Sequence, residues 1–325
     1  INSPKGASSV PLNEKTSRVI AGEAKGGEFD AGQYGFNTGA LISFDQIVNG
    51  HSTRTGLYVM PNNAQNKYMA ALEKESLFRG IGTVIKAYGS GYRILAKDSN
   101  DLAQWVAEND AVPIYEGIDD FTINTVDSWK LAALVKMDEA FIHDTSFDIE
   151  NYLIKRFAMS FGRAEDNAFI NGNGNEMPTG ILNATGGAEV AASIDEITYD
   201  DVIGLYFSVK PEYRKNAVWL MNDKTALALR TLKDDAGNYL WRDSDDTILG
   251  KKVIMSEFMP DSKPGAKPIA FGDFSYYWVA DRQGRVFKRL NELYAGNGQV
   301  GFLASKRLDG KLVLPEAIKV LQQKA

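Results

Sequence analysis

The chain has 325 residues, 44% of them apolar and 24% charged, with a formal net charge of −6 from 36 basic and 42 acidic groups. This is the composition of a folded chain, and its acidic balance argues against sequence-specific nucleic-acid recognition, which needs a basic face. Cysteine is absent and His51 and His143 are the only histidines, which excludes disulfides, thiolate zinc sites and cysteine nucleophiles and leaves too few ligands for most zinc or copper centres.

Residues 1–71 mix short polar and glycine-rich pieces with isolated apolar groups. Phe29, Tyr34, Phe36, Phe44 and Tyr58 are too many aromatics for a solvated linker, so this stretch reads as an arm ordered by lying on another surface. It has no hydrophobic signal region, and no run in the chain approaches the ~20 apolar residues that span a bilayer. A short helix is expected around Met69–Phe78. Strand-like "YRILAK" (92–97), "AQWVAE" (103–108) and "DFTINTV" (120–126) follow, separated by turn-rich pieces. Together they make a long hairpin without a core of its own.

After the segment 129–145, Ile149, Leu153, Phe157 and Phe161 recur every four residues. That spacing predicts a long helix over about 147–170, capped by Thr145 or Ser146, with Asp148 and Glu150 in its first turn. Glu165 and Asp166 are placed with the other charges on its polar faces. Asn171-Gly172 supplies the stop, both residues tolerating a left-handed conformation. The glycine-rich "NGNGNEMPTGIL" therefore follows a helix carboxyl end, where phosphates are not held. It reads as a structural turn.

Beyond it, "ITYDDVIGLYFSV" is an amphipathic helix, "AVWLMN" (217–222) a buried strand and "DKTALALRTLKD" a helix starting near Asp223. The remainder, 238–325, is mostly strand and turn, with "SKRLDGK" (305–311) read as a basic hairpin tip or subunit contact. The class is α+β. No catalytic, cofactor or metal site emerges: "YGSGY" lacks the nucleophile-elbow spacing, His143-Asp144 reads as an exposed pair, and "WRDSDDTILG" lacks the glycine and distal glutamate of a calcium loop. The five tryptophans, Trp105, Trp129, Trp219, Trp241 and Trp278, read as core or interface.

The run "VKMDEAFIHDTSFDIENYLIKRFAMSFGRAEDNAFINGNGNEMPTGIL" (135–182) resembles the central signature of tailed-bacteriophage major capsid proteins. There a long spine helix closes on an acidic pair, here Glu165-Asp166, then on an N-G-x-G turn and "PTGIL". "VWLMNDKTALALRTLKDDAGNYLW", "ILGKKVIMSEFMP" and "IAFGDFSYYWVADRQG" resemble later pieces of the family in the same order. The likeness covers roughly 75–325.

This resemblance implies the Hong Kong phage capsid fold. Its parts would be an N-terminal arm (1–71), a peripheral domain (72–86 and 125–192, with the spine helix at 147–170), an extended hairpin loop (87–124), an axial domain (193–280), peripheral strands (281–302) and axial C-terminal strands (303–325). It implies a non-enzymatic protein that assembles with itself into pentamers and hexamers of an icosahedral shell around double-stranded DNA, held without sequence preference. Further partners would be a portal, a scaffold or maturation protease and a decoration protein, with no membrane. The location would be the virion, assembled in the bacterial host cytoplasm. Members often begin as longer precursors, with which Ile1 is compatible.

Contact candidates between copies are Phe36, Phe44, Trp105, Glu108, Asn109 and Ile114. Some members join a hairpin lysine to a neighbour's asparagine with help from a glutamate. Here the matching loop position is Asn109, the partner region offers Asn297 about one place out of register, the glutamate position falls near Ser305, and no cross-link is expected. An encapsulin-like shell and a soluble hydrolase are the alternative readings.

Overall fold

The apolar spacing that marks the long helix also fixes what it packs on. The computed structural model describes residues 58–59, 62–87, 92–97, 121–142, 148–234, 236–241 and 246–324. Its longest helix is α4, Ile149–Asn171; earlier come α1 (Asn62–Glu75), α2 (Leu77–Ile81) and α3 (Glu139–Ile142). Asp148 is the N-cap of α4, its carboxylate accepting the Asn151 N–H at 3.0 Å. This corrects the expected start by about two residues: a carboxylate is already next to the first turn, so Thr145 and Ser146, outside the described residues, are not the cap.

Ile149, Leu153, Phe157 and Phe161 are all buried, as are Ile154 and Ala158. They lie on one face of a five-stranded sheet in the order β1 (Tyr58–Val59), β11 (Tyr277–Leu290), β12 (Gln299–Leu312), β5 (Trp129–Asp138), with β2 (Thr83–Ala87) parallel to β11. Phe287, Val300, Phe302 and Ala304 meet the helix from the sheet, and Tyr68 and Leu72 of α1 close the cluster. Each such side chain removed from water stabilises the fold by roughly 1.5–3 kcal/mol.

One helix was expected over 69–78, and two are found. The chain breaks at Ser76, which is extended (φ −93, ψ 119), because its hydroxyl and the following amides turn to a carboxylate on α4 instead of continuing the helix. β3 (Tyr92–Lys97) and β4 (Phe121–Val126) pair antiparallel from Tyr92–Val126 to Lys97–Phe121, forming the base of the expected hairpin.

A second sheet of six strands runs β6 (Glu189–Ile194), β13 (Ile318–Gln323), β10 (Ile269–Gly272), β7 (Val218–Met221), β9 (Lys251–Met255), β8 (Thr247–Ile248). β10 and β7 are near-continuous apolar runs because helices α5 (Tyr199–Ser208) and α7 (Asp223–Arg230) and the end of α4 cover the sheet's two faces. α6 is the short Pro211–Arg214. At the centre Trp219 packs on Phe271, ring centroids 4.1 Å apart, and donates its indole N–H to the Ile248 carbonyl at 3.0 Å. α5 carries a complete capping box between Thr198 and Asp201, and Asn222 caps α7. β11 and β12 each run unbroken past residues 280/281 and 302/303, where the sequence reading changes domain.

Candidate functional site

Where α4 meets α2, β11 and β12, four charged side chains are sealed from water. Arg79 of α2 places Nε 2.7 Å from Glu165 Oε2 and a terminal nitrogen 3.0 Å from Asp281 Oδ2. The Lys306 ammonium closes the group on the other oxygen of Glu165, with the Phe161 ring centroid 5.5 Å away. All four side chains are at most 4% exposed. Two cations face two anions, so the cluster is formally neutral, which is the condition for burying charge at tolerable cost. Burial, with the Arg79 guanidinium nearby, pushes Lys306 well below the usual lysine range.

The next residue, Asp166, caps α2. Its carboxylate accepts the Ser76 hydroxyl at 2.9 Å and the Leu77 and Phe78 amides at 2.9 and 3.2 Å. Burial raises its pKa while these donors oppose the shift. Asp309 does similar work at the base of the hairpin, accepting the Asp127 and Gly310 amides at 2.8 Å each. Burial raises its pKa as well.

These positions overturn two expectations. Glu165 and Asp166 are buried at 1% and 6% exposure, not on a solvated helix face, because their partners arrive from α2, β11 and β12. "SKRLDGK" lies in the second half of β12 rather than at a hairpin tip. A period-two signal was available: Val300, Phe302, Ala304, Lys306 and Leu308 alternate onto the face toward α4, and Lys306 occupies a core position in that row.

The glycine-rich turn is structural in the sense expected, but by another geometry. Gly172 has φ −61 and ψ 144, not a left-handed conformation. A Cβ there would stand 2.1 Å from the Pro178 carbonyl oxygen and 2.4 Å from that of Ala168, so the glycine is required by close approach. The returning chain then satisfies the helix end: Ile181 and Leu182 donate to Phe169 and Ile170 at 2.8 and 3.0 Å. Beside this turn lies an apolar cavity of about 320 Å³ lined by Trp129, Leu131, Ala164, Met177, Pro178 and Leu308.

Of the contact candidates, Phe36, Phe44, Trp105, Glu108, Asn109 and Ile114 lie outside the described residues. Asn297 ends an exposed 3-10 turn, Ala295–Asn297, and Ser305 sits half-buried opposite Val286 and Ala132. From the start of β12 at Gln299 to Ser305 is six residues, about 20 Å of strand, so one chain does not bring the two together. Trp219 and Trp241 are buried, while Trp129 and Trp278 are partly so. Among the described residues, no His, Asp and Glu group forms a metal-binding cluster and no helix is long and apolar enough to cross a membrane.

A model of the phage capsid family matches residues 56–323. The chain belongs to the phage capsid family. Its fold is the Hong Kong phage capsid fold, and its function is that of a major capsid protein, a structural rather than an enzymatic class. A probable major capsid protein of Mycobacterium phage D29 is 26% identical over 251 residues, covering 73% of this chain and 77% of that one. The capsid of a native GTA particle, computed with C5 symmetry, is 30% identical with a TM-score of 0.64, covering 84% of this chain and 94% of that one. The capsid of an empty GTA particle is 32% identical with a TM-score of 0.62, over 77% and 90% of the two chains. These relatives are shell proteins, neither encapsulins nor hydrolases, and both alternative readings fall away.

Proposed function

We propose that this capsid protein tiles a closed icosahedral shell as pentamers and hexamers around packaged double-stranded DNA. The observation that carries the reading is the GTA likeness, which spans 94% of a chain arranged with fivefold symmetry. Copies related by rotation make head-to-tail contacts that close into rings. The five-stranded sheet with α4 acts as the peripheral domain and the six-stranded sheet as the axial domain. The hairpin (87–124) and arm (1–71) lie on neighbouring copies, with Phe36, Phe44, Trp105 and Ile114 as apolar anchors. Portal, scaffold or maturation protease, and a decoration protein are the further partners, met during assembly in the bacterial cytoplasm.

The shell is held without covalent links. No lysine occurs between Lys97 and Lys130, and Asn109 and Ser305 stand where the linking family members carry lysine and glutamate. Negative-stain microscopy of the purified chain tests the whole reading: uniform closed particles are expected, and monomers under all assembly conditions overturn it. Boiled particles on a denaturing gel are expected as one band at the 35.8 kDa of the monomer; a ladder refutes the non-covalent shell.

A further inference from the structure

Asparagine is chemically labile where glycine follows it, because no Cβ hinders attack of the next backbone nitrogen on the side-chain amide carbon. Three such pairs lie among the described residues: Asn171-Gly172, Asn173-Gly174 and Asn297-Gly298; Asn49-Gly50 lies outside them. The fold treats the three differently. The Gly172 nitrogen, which would attack Asn171, donates to the Ala168 carbonyl at 2.8 Å at the end of α4. The Asn171 side chain is tied as well, its amide donating to Asn167 Oδ1 at 3.1 Å and to the Phe258 carbonyl at 2.9 Å. The Gly298 nitrogen donates to the Ala295 carbonyl at 3.0 Å across its 3-10 turn.

At Asn173 the reacting groups are held less firmly. Asn173 and Gly174 are both exposed, and the Gly174 nitrogen reaches the Pro178 carbonyl at 3.3 Å, the longest of the three bonds. The Asn173 side-chain oxygen accepts the Asn175 N–H at 2.9 Å, a turn contact that draws electron density from the amide carbon. Among the described residues its Nδ2 donates to nothing, so the leaving nitrogen is free. The following glycine is fixed by the fold: Gly174 has φ +77, and a Cβ there would stand 2.7 Å from Thr179 Oγ1. The turn thus contains a labile pair whose second member it cannot exchange.

We propose that Asn173 is a site of spontaneous deamidation, a modification that loosens with age the turn closing α4. The Gly174 nitrogen attacks Asn173 Cγ and forms a C–N bond as the bond to Nδ2 breaks. Ammonia leaves with the proton that the Gly174 nitrogen gives up. Water then opens the five-membered imide at one carbonyl or the other, restoring an N–H and giving aspartate or isoaspartate, with no oxidation or reduction. Either product adds a carboxylate near the carboxyl end of α4, where the helix dipole disfavours negative charge. Isoaspartate also lengthens the main chain by one methylene between Gly172 and Gly174. Gly172 accepts the Gly180 N–H at 2.9 Å while Gly174 donates to Pro178, and a longer link cannot keep both bonds in register. The chemistry needs only the folded chain and does not depend on the shell reading.

The test ages the full-length protein for some weeks at mildly alkaline pH and physiological temperature. Peptide mass spectrometry follows each site by the mass gained when amide becomes acid, and an isoaspartyl methyltransferase scores the isomer. Asn173 is expected to convert about tenfold faster than Asn171, the factor set by one or two further hydrogen bonds that must open, with Asn297 between them. In concentrated urea the three rates should converge, since glycine follows each asparagine. Equal rates in the folded chain, Asn171 or Asn297 ahead of Asn173, or the same spread in urea overturn the proposal. Aged wild type is expected to melt below fresh protein, whereas Asn173→Gln, whose longer side chain closes no five-membered ring, should melt alike before and after. Wild type that is converted at Asn173 yet melts as it did when fresh overturns the effect on the turn. A chain that never leaves the monomer sinks the shell reading and leaves this one standing.

Discussion

The two sheets solve the problem of a core in opposite ways. The six-stranded sheet is filled with apolar volume around Trp219 and Phe271, and its buried polar atoms are chiefly backbone and helix caps. The five-stranded sheet adds to its apolar cluster under α4 four charges sealed between itself and that helix. Apolar packing is tolerant of which side chain fills a space, provided the volume is right. A neutral quartet drawn from α2, α4, β11 and β12 is not tolerant: losing one member strands the rest. The apolar clusters supply stability, whereas the quartet fixes how four elements meet.

The largest effects should come from breaking the quartet. Arg79→Met leaves Glu165 and Asp281 buried without their shared cation and is expected to cost about 3–5 kcal/mol, read from urea denaturation of the unassembled chain. The comparison sharpens if Arg79, Glu165, Asp281 and Lys306 are all replaced by Met or Leu. Most of that loss should then return, because apolar side chains of similar volume substitute well for buried ion pairs. A quadruple variant as weak as Arg79→Met would show that the charges themselves stabilise the fold.

In the apolar core, Trp219→Ala is expected to cost about 4 kcal/mol through lost burial and the cavity left behind, with no comparable rescue from charge changes. Asp166→Ala, which removes the acceptor of three donors at the start of α2, should cost about 2 kcal/mol. It should loosen the α1–α2 junction first, seen as faster amide exchange at Leu77 and Phe78.

The smallest effect belongs to the exposed cap of α4. The Asn151 amide, then its side chain, holds the Asp148 carboxyl below the ordinary 3.8. A folded-state pKa depressed in this way contributes stability that is present above the unfolded value and lost as pH falls through the folded one. Asp148→Ala should therefore lower the melting temperature slightly at neutral pH, and the difference should vanish in strong acid. A difference that persists there would mean the cap acts by something other than its charge.

How much was legible beforehand follows the same division. The spine helix was clear because Ile149, Leu153, Phe157 and Phe161 are all apolar and locally spaced, and "AVWLMN" was clear because both sides of that strand are covered. The hairpin base, 92–97 against 121–126, was marked by turn-rich flanks. The quartet was hidden since each member looks like a surface charge until its partner, 86 or 202 positions away in the pairs made by Arg79, is beside it. β12 reads locally as two strands because "SKRLDGK", with its charges and Asp309-Gly310, imitates a turn. In the folded chain a Cβ at Gly310 would meet the Tyr277 hydroxyl at 2.6 Å and the Phe169 ring at 2.9 Å, so the glycine answers a packing demand that no local pattern carries.

The carboxylate of Asp309 has a mechanical consequence. By holding the Asp127 amide it clamps the foot of the β3–β4 ribbon to the middle of the sheet, and that ribbon extends roughly 20 Å over its six paired residues. A tilt of about 10° at the foot sweeps the far end through about 3.5 Å, close to one residue of strand register. One buried side chain thus sets the aim of a lever, and an error there would be felt as a misfit one whole residue along whatever the lever reaches.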